Sequence, residues 1–295
     1  MVKLAELLTS GLMVGVIYAV IALGFVVIYK ATRVFNFAQG SLALLGAFVF
    51  YTFVGPAGLP LPLAALLSFL VLVGVAWIIE RLSLRPLIGQ PILAPIIVTL
   101  ALTALFVGLV LIVWGSEVFS YPRGILPTGI WRLGRLTFPQ LQVAAFVVGL
   151  VFIALLSAYF RYTRAGLAMR VTAEDHVVAQ NLGIKVKQVF SQSWMIAGAV
   201  ATVGGIFLGG LQGVNDQLAT IALKAVAVVL IGGLESITGA IVAGLMIGVA
   251  ETLAGGYLTS YLGGGIADTA PYLLLMAILL IKPYGFFGLV RIERL

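Results

Sequence analysis

The residues best suited to chemistry lie between Arg161 and Gln188, where an otherwise apolar chain becomes charged. The stretch holds seven charged residues and the only histidine of the protein, His176. The apolar run on either side is long enough to cross a bilayer. Charged side chains held between two such runs are suited to binding a water-soluble partner at the membrane surface. We therefore interpret His176 as a solvated or interfacial residue rather than a metal ligand or a base.

Helix signals lie within the same stretch. Thr172 can cap a helix, and Asp175, three residues later, approximates a capping box. Gly183 fits the position just beyond a final turn. These residues predict a short helix over 173–182, outside the membrane spans. An isolated helix of this length is marginal in water, so it must rest on another surface.

Two kinds of surface could support this short helix. Glu174 would lie in its first turn, where the helix dipole favours acids. Val178 and Leu182 are spaced to share one apolar face. That face could pack on the chain's own loops, or it could insert into a groove on a soluble partner. We favour the partner and keep the packing alternative.

A second polar group follows the first apolar run. Asn36, Gln39 and Ser41 lie just before or within the next run. Asn36 can cap that helix while Gln39 returns a bond to its backbone N–H. Alternatively, these side chains line a polar pathway, since polar groups beside apolar helices need partners.

Glycines interrupt and line the later apolar runs. Gly232 and Gly233 interrupt the helical pattern just before Glu235. The backbone polar groups that such a break frees are a second candidate for lining the pathway. Lys224 and Glu251 are charges within apolar segments, which makes them functional candidates, although Lys224 could also reach the outer interface. Small residues recur every fourth position and predict close helix packing, within the chain or between subunits; they include Gly205, Gly209, Gly213, Gly244 and Gly248.

Several function classes do not fit this sequence. It has no cysteine, which excludes disulfides, thiolate metal sites and cysteine nucleophiles. It has no phosphate-binding loop of the G-x-x-x-x-G-K-[ST] type and no His/Asp/Glu cluster with metal-ligand spacing. No basic run with interleaved aromatic residues points to nucleic acid. We expect no catalytic residues, no metal and no cofactor.

The composition assigns the fold class. Hydrophobic residues make up 62% of the 295 residues and charged residues 9%, whereas soluble domains carry about 25% charged residues. The apolar runs have helix-spanning length, so we predict an all-α polytopic membrane protein with about eight transmembrane helices. The predicted runs are 7–29, 37–54, 61–80, 92–114, 140–160, 189–213, 221–234, 237–254 and 270–282. The pair within 221–254 reads either as a broken or re-entrant hairpin or as two short spans.

Positive charge predicts the orientation. With the N-terminus outside, twelve Lys and Arg residues fall on the inner side and four on the outer side. The reverse orientation would invert this bias, which the positive-inside rule disfavours. We therefore predict an N-terminus outside and a C-terminus in the cytoplasm.

Four blocks of sequence, in order, resemble one known family. They are GLMVGVIYAVIALGFVVIYKATRVFNFAQGSLALLGAF, AEDHVVAQNLGIKVKQV, AVAVVLIGGLESITGAIVAGLMIGVAETL and IKPYGFFG. Together they are similar to the LivH-type permease subunit of branched-chain amino acid ABC importers. The resemblance covers nearly the whole chain and implies one transmembrane permease domain over 1–295, in a bacterial inner membrane.

The resemblance also implies partners and roles. Such permeases work with a second, related permease, two cytoplasmic ATPase subunits and an extracytoplasmic substrate-binding protein. The loop at about 161–188 would then be the ATPase-coupling loop, with a coupling helix that includes Ala173, Glu174, Asp175, Val178, Leu182 and Gly183. The chain would form half of a pathway for branched-chain or related hydrophobic amino acids.

Some alternatives stay open beside the resemblance. The loop departs from the E-A-A-x-x-x-G pattern of other ABC permeases, because Ala173 and Gly183 have a different spacing. Relatives in the family also carry urea, short amides or aromatic acids. A stand-alone secondary transporter or channel for small polar solutes, with broken helices, is the alternative from another class. The second permease could be homologous or identical to this chain.

Overall fold

The computed structural model describes residues 2–91, 93–134, 136–174 and 176–288. Helices dominate it, which confirms the predicted all-α fold. The helices are α1 Val2–Thr32, α2 Gln39–Val54, α3 Leu61–Ile79, α4 Leu93–Trp114, α5 Gln140–Tyr162, α6 Arg164–Glu174, α7 His176–Asn181, α8 Val186–Gln212, α9 Leu218–Ala222, α10 Lys224–Gly232, α11 Ile237–Leu253, α12 Thr259–Leu262 and α13 Ile266–Ile281. A π-helical turn, Glu80–Leu84, and a 3-10 turn, Arg85–Leu87, extend α3, and a second π turn, Ala254–Leu258, joins α11 to α12.

Length and hydropathy select six membrane-crossing helices within the described residues. These are Val2–Thr32, Leu61–Leu87, Leu93–Trp114, Gln140–Tyr162, Val186–Gln212 and Ile237–Leu262. Three shorter apolar helical stretches, Gln39–Val54, Leu218–Gly232 and Ile266–Ile281, accompany them. The expected number of about eight spans stays a prediction, because it depends on which of the short stretches cross the bilayer.

Helix α1 occupies the centre of the molecule. Of its most apolar 18 residues 83% are buried, compared with 22–28% in the corresponding parts of α3, α4 and α5. Gly11 and Gly15 of α1 lie against Gly248 and Gly244 of α11, and a Cβ added at Gly15 would come within 2.6 Å of the Gly244 carbonyl oxygen. Small residues let two helix backbones approach this closely in lipid. The outer helices α3, α4 and α5 are left to face lipid or other subunits.

The small residues of α8 serve more than one purpose. Gly205 lies against the Ala43 carbonyl of α2 and leaves no room for a Cβ, while Gly198 approaches the Leu72 carbonyl of α3. At Gly209, the nearest atoms are the Tyr121 hydroxyl and the Val214 side chain, rather than a helix backbone. Gly213 has φ +80 and ends α8. The four-residue repeat therefore packs helices over its first part and accommodates a loop at its end.

The polar segment between α5 and α8 folds differently from its prediction. A helix was expected to begin at Thr172, but α6 begins at Arg164, and Thr163 provides the cap by accepting a hydrogen bond from the Gly166 N–H at 2.9 Å. Thr172 is buried inside α6, so its predicted capping role is wrong. Burial of one face of α6 outweighs the local capping signal. Gly183, with φ +79, follows α7 as the predicted stop.

The predicted break near Gly232 and Gly233 is present. The helical stretch 218–232 is itself interrupted at Leu223, between α9 and α10. Gly233, at φ +97, ends α10. The backbone N–H groups of Phe286 and Phe287 donate to the Ile231 and Gly232 carbonyls at 2.8 and 3.2 Å, so the C-terminal segment satisfies the end of α10.

A small β-hairpin occupies a region that the sequence marked only as a loop. Strands β1 Ile130–Leu133 and β2 Leu136–Pro139 pair in antiparallel fashion. Glu6, in the first turns of α1, accepts hydrogen bonds from the Thr137 N–H and hydroxyl at 3.1 and 2.8 Å. The hairpin is therefore attached to the N-terminal end of α1.

Candidate functional site

A buried polar layer joins α1, α2 and α8. The Asn36 carboxamide accepts from the Ala38 N–H at 3.1 Å and donates to Gln39 Oε1 at 3.3 Å. Gln39 Nε2 donates to the Ala197 carbonyl of α8 at 3.1 Å, and Ser41 donates to the Ala38 carbonyl at 2.9 Å. All three side chains are buried.

The bonds in this layer differ from the predicted reciprocal cap. Gln39 bonds to the Asn36 side chain and to α8, not to the Asn36 backbone N–H, so that part of the capping prediction is wrong. Its carboxamide lies where a Cβ at Gly24 would be. Each amide oxygen and nitrogen here has a protein partner, as burial requires. In this conformation the layer closes the space between the three helices, and its role in a pathway stays a prediction.

One end of the hairpin formed by α10 and α11 carries an ion pair. Glu235 lies in the turn between α10 and α11, and its carboxylate pairs with the Arg33 guanidinium just after α1. Arg33 Nη2 also donates to the Ala173 carbonyl near the end of α6 at 2.5 Å. Ala173 is buried. The arrangement brings together the predicted coupling loop and the Gly232–Gly233 break, which the sequence did not link.

The other end of the hairpin carries a charge cluster around a buried ammonium. Lys224 Nζ bonds to Glu251 Oε1 at 2.5 Å and to Asp268 Oδ1 at 2.8 Å, and it lies 6.0 Å from the centre of the Tyr18 ring. Lys224 is only 4% exposed, but its partner Asp268 has a side chain that is 75% exposed, so a position of the ammonium near the outer interface stays a prediction. Two carboxylates offset the desolvation of one ammonium. The sequence marked Lys224 and Glu251 separately, and only the fold unites them with Asp268.

A further ion pair, with a buried carboxylate, was missed in the sequence. Glu80, 1% exposed, takes a bidentate contact from Arg85 at 2.9 and 3.1 Å. Ser191 of α8 donates to Glu80 and accepts from Arg85 at 2.8 Å. A cavity of about 200 Å³ lies beside it, walled in part by Phe190 and Trp194. The available signal was the spacing of Glu80 five residues before Arg85. It was overlooked because Glu80 ends the predicted apolar run 61–80.

The predicted coupling residues fall on two sides of the segment. Ala173 is buried with one face of α6, whereas Glu174 is exposed. Val178 is 49% exposed and Leu182 is 68% exposed. Asp175 lies outside the described residues. The segment thus rests on the helix bundle by one face and presents apolar side chains on the other.

Tyr121 ties the loop after α4 to the bundle. Its hydroxyl lies 3.4 Å from the Ala47 carbonyl, and its ring meets Phe50 edge-on, with ring centres 5.0 Å apart. Burial raises the pKa of the Tyr121 hydroxyl above its usual range. This tyrosine therefore stays neutral and acts as a packing element beside Gly209. Among the described residues, no three His, Asp or Glu side chains come together in a way that could hold a metal ion.

Comparison with known proteins gives a consistent result over nearly the whole chain. The family described as "Branched-chain amino acid transport system / permease component" matches residues 7–282. The high-affinity branched-chain amino acid transport system permease protein LivH of Escherichia coli (strain K12) is 29% identical over 300 residues, covering 97% of this chain and 96% of that protein.

Further relatives agree. The corresponding permease protein BraD of Pseudomonas aeruginosa is 30% identical, with 97% of this chain and 96% of the relative covered. A probable branched-chain amino acid transport permease protein LivH of Methanocaldococcus jannaschii is 30% identical over 281 residues, covering 91% and 87%.

The fold has a solved counterpart. The structure of PsaBC from Streptococcus pneumoniae in complex with Fab aligns with a TM-score of 0.51 at 13% identity, covering 96% of this chain and 92% of that chain. At this identity the likeness concerns the fold alone. The family match and the relatives confirm the resemblance seen in the sequence, and the chain belongs to the branched-chain amino acid transport system permease component family.

Proposed function

We propose that this chain is a permease subunit of an ATP-binding-cassette importer and forms half of the translocation pathway for branched-chain or related hydrophobic amino acids. The observation that carries the proposal is the near full-length similarity to permeases named for this transport in two bacteria and one archaeon. The chain would act as one permease domain over 1–295, beside a second, homologous permease.

Two ATPase subunits and a substrate-binding protein complete the proposed complex. ATP hydrolysis takes place on the ATPase subunits, and the permease itself has no catalytic role. In a bacterial inner membrane, the N-terminus would face outward and the C-terminus the cytoplasm. The Lys and Arg bias supports this orientation.

The ATPases would dock on the segment from α6 to Gly183. Its exposed Val178 and Leu182 offer apolar contacts, and Glu174 offers a charge beside them. Ala173 would support the interface from below, because its side chain is buried while its carbonyl reaches Arg33. A short helix that packs on the bundle by one face can transmit a movement of the ATPase to the transmembrane helices.

The pathway would be mostly apolar, with few polar groups. A charged lining would hold a zwitterion's ammonium or carboxylate and slow its release, whereas an apolar lining lets an aliphatic side chain pass. Asn36, Gln39 and Ser41 supply hydrogen bonds on one wall, and the backbone at Gly232 and Gly233 supplies them on another. Opening would require the Gln39 bond to Ala197 to break or exchange.

Reconstitution tests the proposal. The chain is co-expressed with its neighbouring transporter subunits, purified and placed in liposomes, and ATP-dependent uptake of labelled leucine is measured with the binding protein present. We expect the ATPases to co-purify and uptake to require ATP. Uptake by the chain alone would instead indicate a stand-alone transporter. Competition by urea, short amides or aromatic acids, without competition by leucine or valine, would indicate that the substrate is one of these other compounds carried within the family.

A further inference from the structure

We infer that Arg33 is the positioning residue that links the ATPase-docking segment to the pathway hairpin α10–α11. The inference rests on the proposed function and names the residue through which coupling would pass. Three observations carry it: the backbone conformation of Arg33, the contacts of its guanidinium with Glu235 and Ala173, and the way in which these two residues are anchored.

The backbone at Arg33 is unusual. Its φ is +59, and within residues 2–91, 93–134, 136–174 and 176–288 it is the one non-glycine residue with positive φ. Its N–H bonds to the Tyr29 carbonyl at 2.8 Å, so it closes α1 in the left-handed conformation usually given to glycine. Glycine would fit this backbone at lower free energy. An arginine here indicates that the side chain is needed.

The guanidinium reaches two separate parts of the fold. One end pairs with the Glu235 carboxylate in the turn between α10 and α11. The other end donates to the Ala173 carbonyl at 2.5 Å. The last carbonyls of a helix lack partners within the helix, and a cation there is favoured by the dipole. A planar guanidinium with several donors suits such a bridge better than an ammonium.

Ala173 and Glu235 are each held firmly in place, Ala173 by α6 and Glu235 by the turn between α10 and α11. Ala173 belongs to the buried face of α6, together with Gly166, Met169 and Thr172. Glu235 stands between Gly233, which ends α10, and Ser236, whose hydroxyl caps α11 by accepting from the Gly239 N–H at 2.9 Å.

The two arms of the hairpin are also attached to each other. Gly232 and Gly239 are packed so closely that neither has room for a Cβ. A displacement of α6 that reaches Glu235 would therefore move the hairpin as a unit. It would also act on the backbone just before Asn36, because Arg33 lies in that turn.

The pair differs from the other guanidinium–carboxylate pair of the described structure in what it connects. Arg85 and Glu80 are five residues apart in one connector and fix it to α8 through Ser191. Arg33 and Glu235 are 202 residues apart. The two arginine side chains are similarly exposed, 25% for Arg33 and 29% for Arg85, whereas Glu80 is more buried than Glu235, at 1% against 21%. Arg85→Gln is therefore a control for loss of an ion pair, at least as disruptive locally, without loss of the link.

The first experiment measures coupling in the reconstituted full complex, as substrate imported per ATP hydrolysed. The variants are Arg33→Gln, Glu235→Gln, the exchange of the two charges (Arg33→Glu with Glu235→Arg) and Arg85→Gln. We expect either single variant to keep ATPase activity and lower the ratio by about tenfold, within the usual range of coupling between sites. The charge exchange should recover part of the ratio, and Arg85→Gln should keep it.

The second measurement follows the link itself. The chain has no cysteine, so Leu167→Cys in α6 and Val242→Cys in α11 give two unique sites for spin labels. With Arg33 present, the distance between the labels should stay the same through the ATP cycle, because the two elements move together. With Arg33→Gln, ATP should broaden or shift that distance.

The outcomes separate the inference from the function on which it rests. A normal import ratio and an unchanged label distance in Arg33→Gln would overturn the link, and so would an equal loss of coupling in Arg85→Gln. If Arg33→Gln does not assemble, Glu235→Gln decides by the same ratio. An unmodified complex that imports no substrate with ATP would overturn the proposed function and the link together.

Discussion

Lys224 places a positive charge among helices that are otherwise apolar. Its ammonium is held by Glu251 and Asp268 and is nearly excluded from solvent. Removing one member of such a cluster leaves the others unpaired, which is why buried pairs are costly to break even where their net contribution is small.

Lys224→Met should therefore destabilise the protein strongly. Loss of the ammonium leaves the largely buried Glu251 carboxylate without its cation, and we expect about 3 kcal/mol of lost stability. Lys187→Met, at an exposed position, is the control and should change stability by less than about 0.5 kcal/mol. Thermal unfolding of both variants in the same detergent gives the comparison. Equal melting temperatures for Lys224→Met and the parent would contradict the buried cluster.

Gln39 and Ser41 make different bonds and can be separated by substitution. Gln39→Leu removes bonds to Asn36 and to the α8 backbone, leaving the buried Asn36 amide nitrogen without its acceptor, at about 1–3 kcal/mol. Ser41→Val removes only a local bond to Ala38. If the polar layer lines the pathway, Gln39→Leu should lower uptake while ATPase activity persists. Uptake at the unmodified rate in both variants would make these side chains packing and capping residues only.

At the scale of the elements, glycines decide how closely the helices pack. Two helix glycines, one closely packed and one with open space around it, allow a direct comparison. Gly205 of α8 meets the α2 backbone and leaves no room for a Cβ, whereas Gly108 of α4 has open space around it. Gly205→Ala should overpack the contact and destabilise the protein by about 1–3 kcal/mol. Gly108→Ala should be neutral or stabilising by up to about 1 kcal/mol. Unfolding measurements on the isolated chain test both variants. Loss of subunit assembly in Gly108→Ala alone would mark that face of α4 as an interface.

The docking segment makes a prediction of its own. Val178→Asp and Leu182→Asp place charges on apolar side chains of the segment that are 49% and 68% exposed. We expect the ATPases to be lost from the purified complex while the permease stays folded, because an unpaired charge in an apolar groove costs several kcal/mol. Glu117→Gln, at an exposed position in the loop after α4, serves as the folded control. Retention of the ATPases by the double variant would place their contact elsewhere.

The elements show how far sequence reasoning reached. The apolar runs, the Gly233 break and the Gly183 stop depend on local chemistry, and the sequence predicted them. The Thr172 cap failed because Gly166, Met169 and Ala173 bury one face of a longer helix. The Lys224 cluster and the Arg33 bridge join residues far apart in the chain, so no local pattern could reveal them.

At the scale of the whole molecule, the ends of the helices and their loops form two groups of contacts, one on each of two opposite faces. On one face Arg33 meets Ala173 and Glu235, and Phe286 meets the end of α10. On the other face Glu6 meets Thr137, Phe119 pairs with Val214, Trp114 bonds to Thr52 at 2.9 Å, and Lys224 meets Glu251 and Asp268.

We predict that each apolar stretch runs from one face to the other, including the three short ones. Within the described residues there are six long and three short stretches, and nine crossings would place residue 2 and residue 288 on opposite faces. A 16-residue helix is about 24 Å long, shorter than the roughly 30 Å hydrocarbon core. Burial of α2 among its neighbours would make that length sufficient, because protein rather than lipid surrounds it.

Which of the two faces is outside follows from the Lys and Arg bias and can be tested directly. The loop face that holds the hairpin β1–β2 should be outside, and the face that holds Arg33 should be cytoplasmic. The chain lacks cysteine, so single cysteines at the exposed Ser116, Ser260 and Gln90 report on sidedness without background. In intact spheroplasts, Ser116→Cys and Ser260→Cys should react with a membrane-impermeant maleimide, and Gln90→Cys should react only after permeabilisation. The opposite pattern would invert the molecule, move the docking segment outside and remove the physical basis for ATPase binding there.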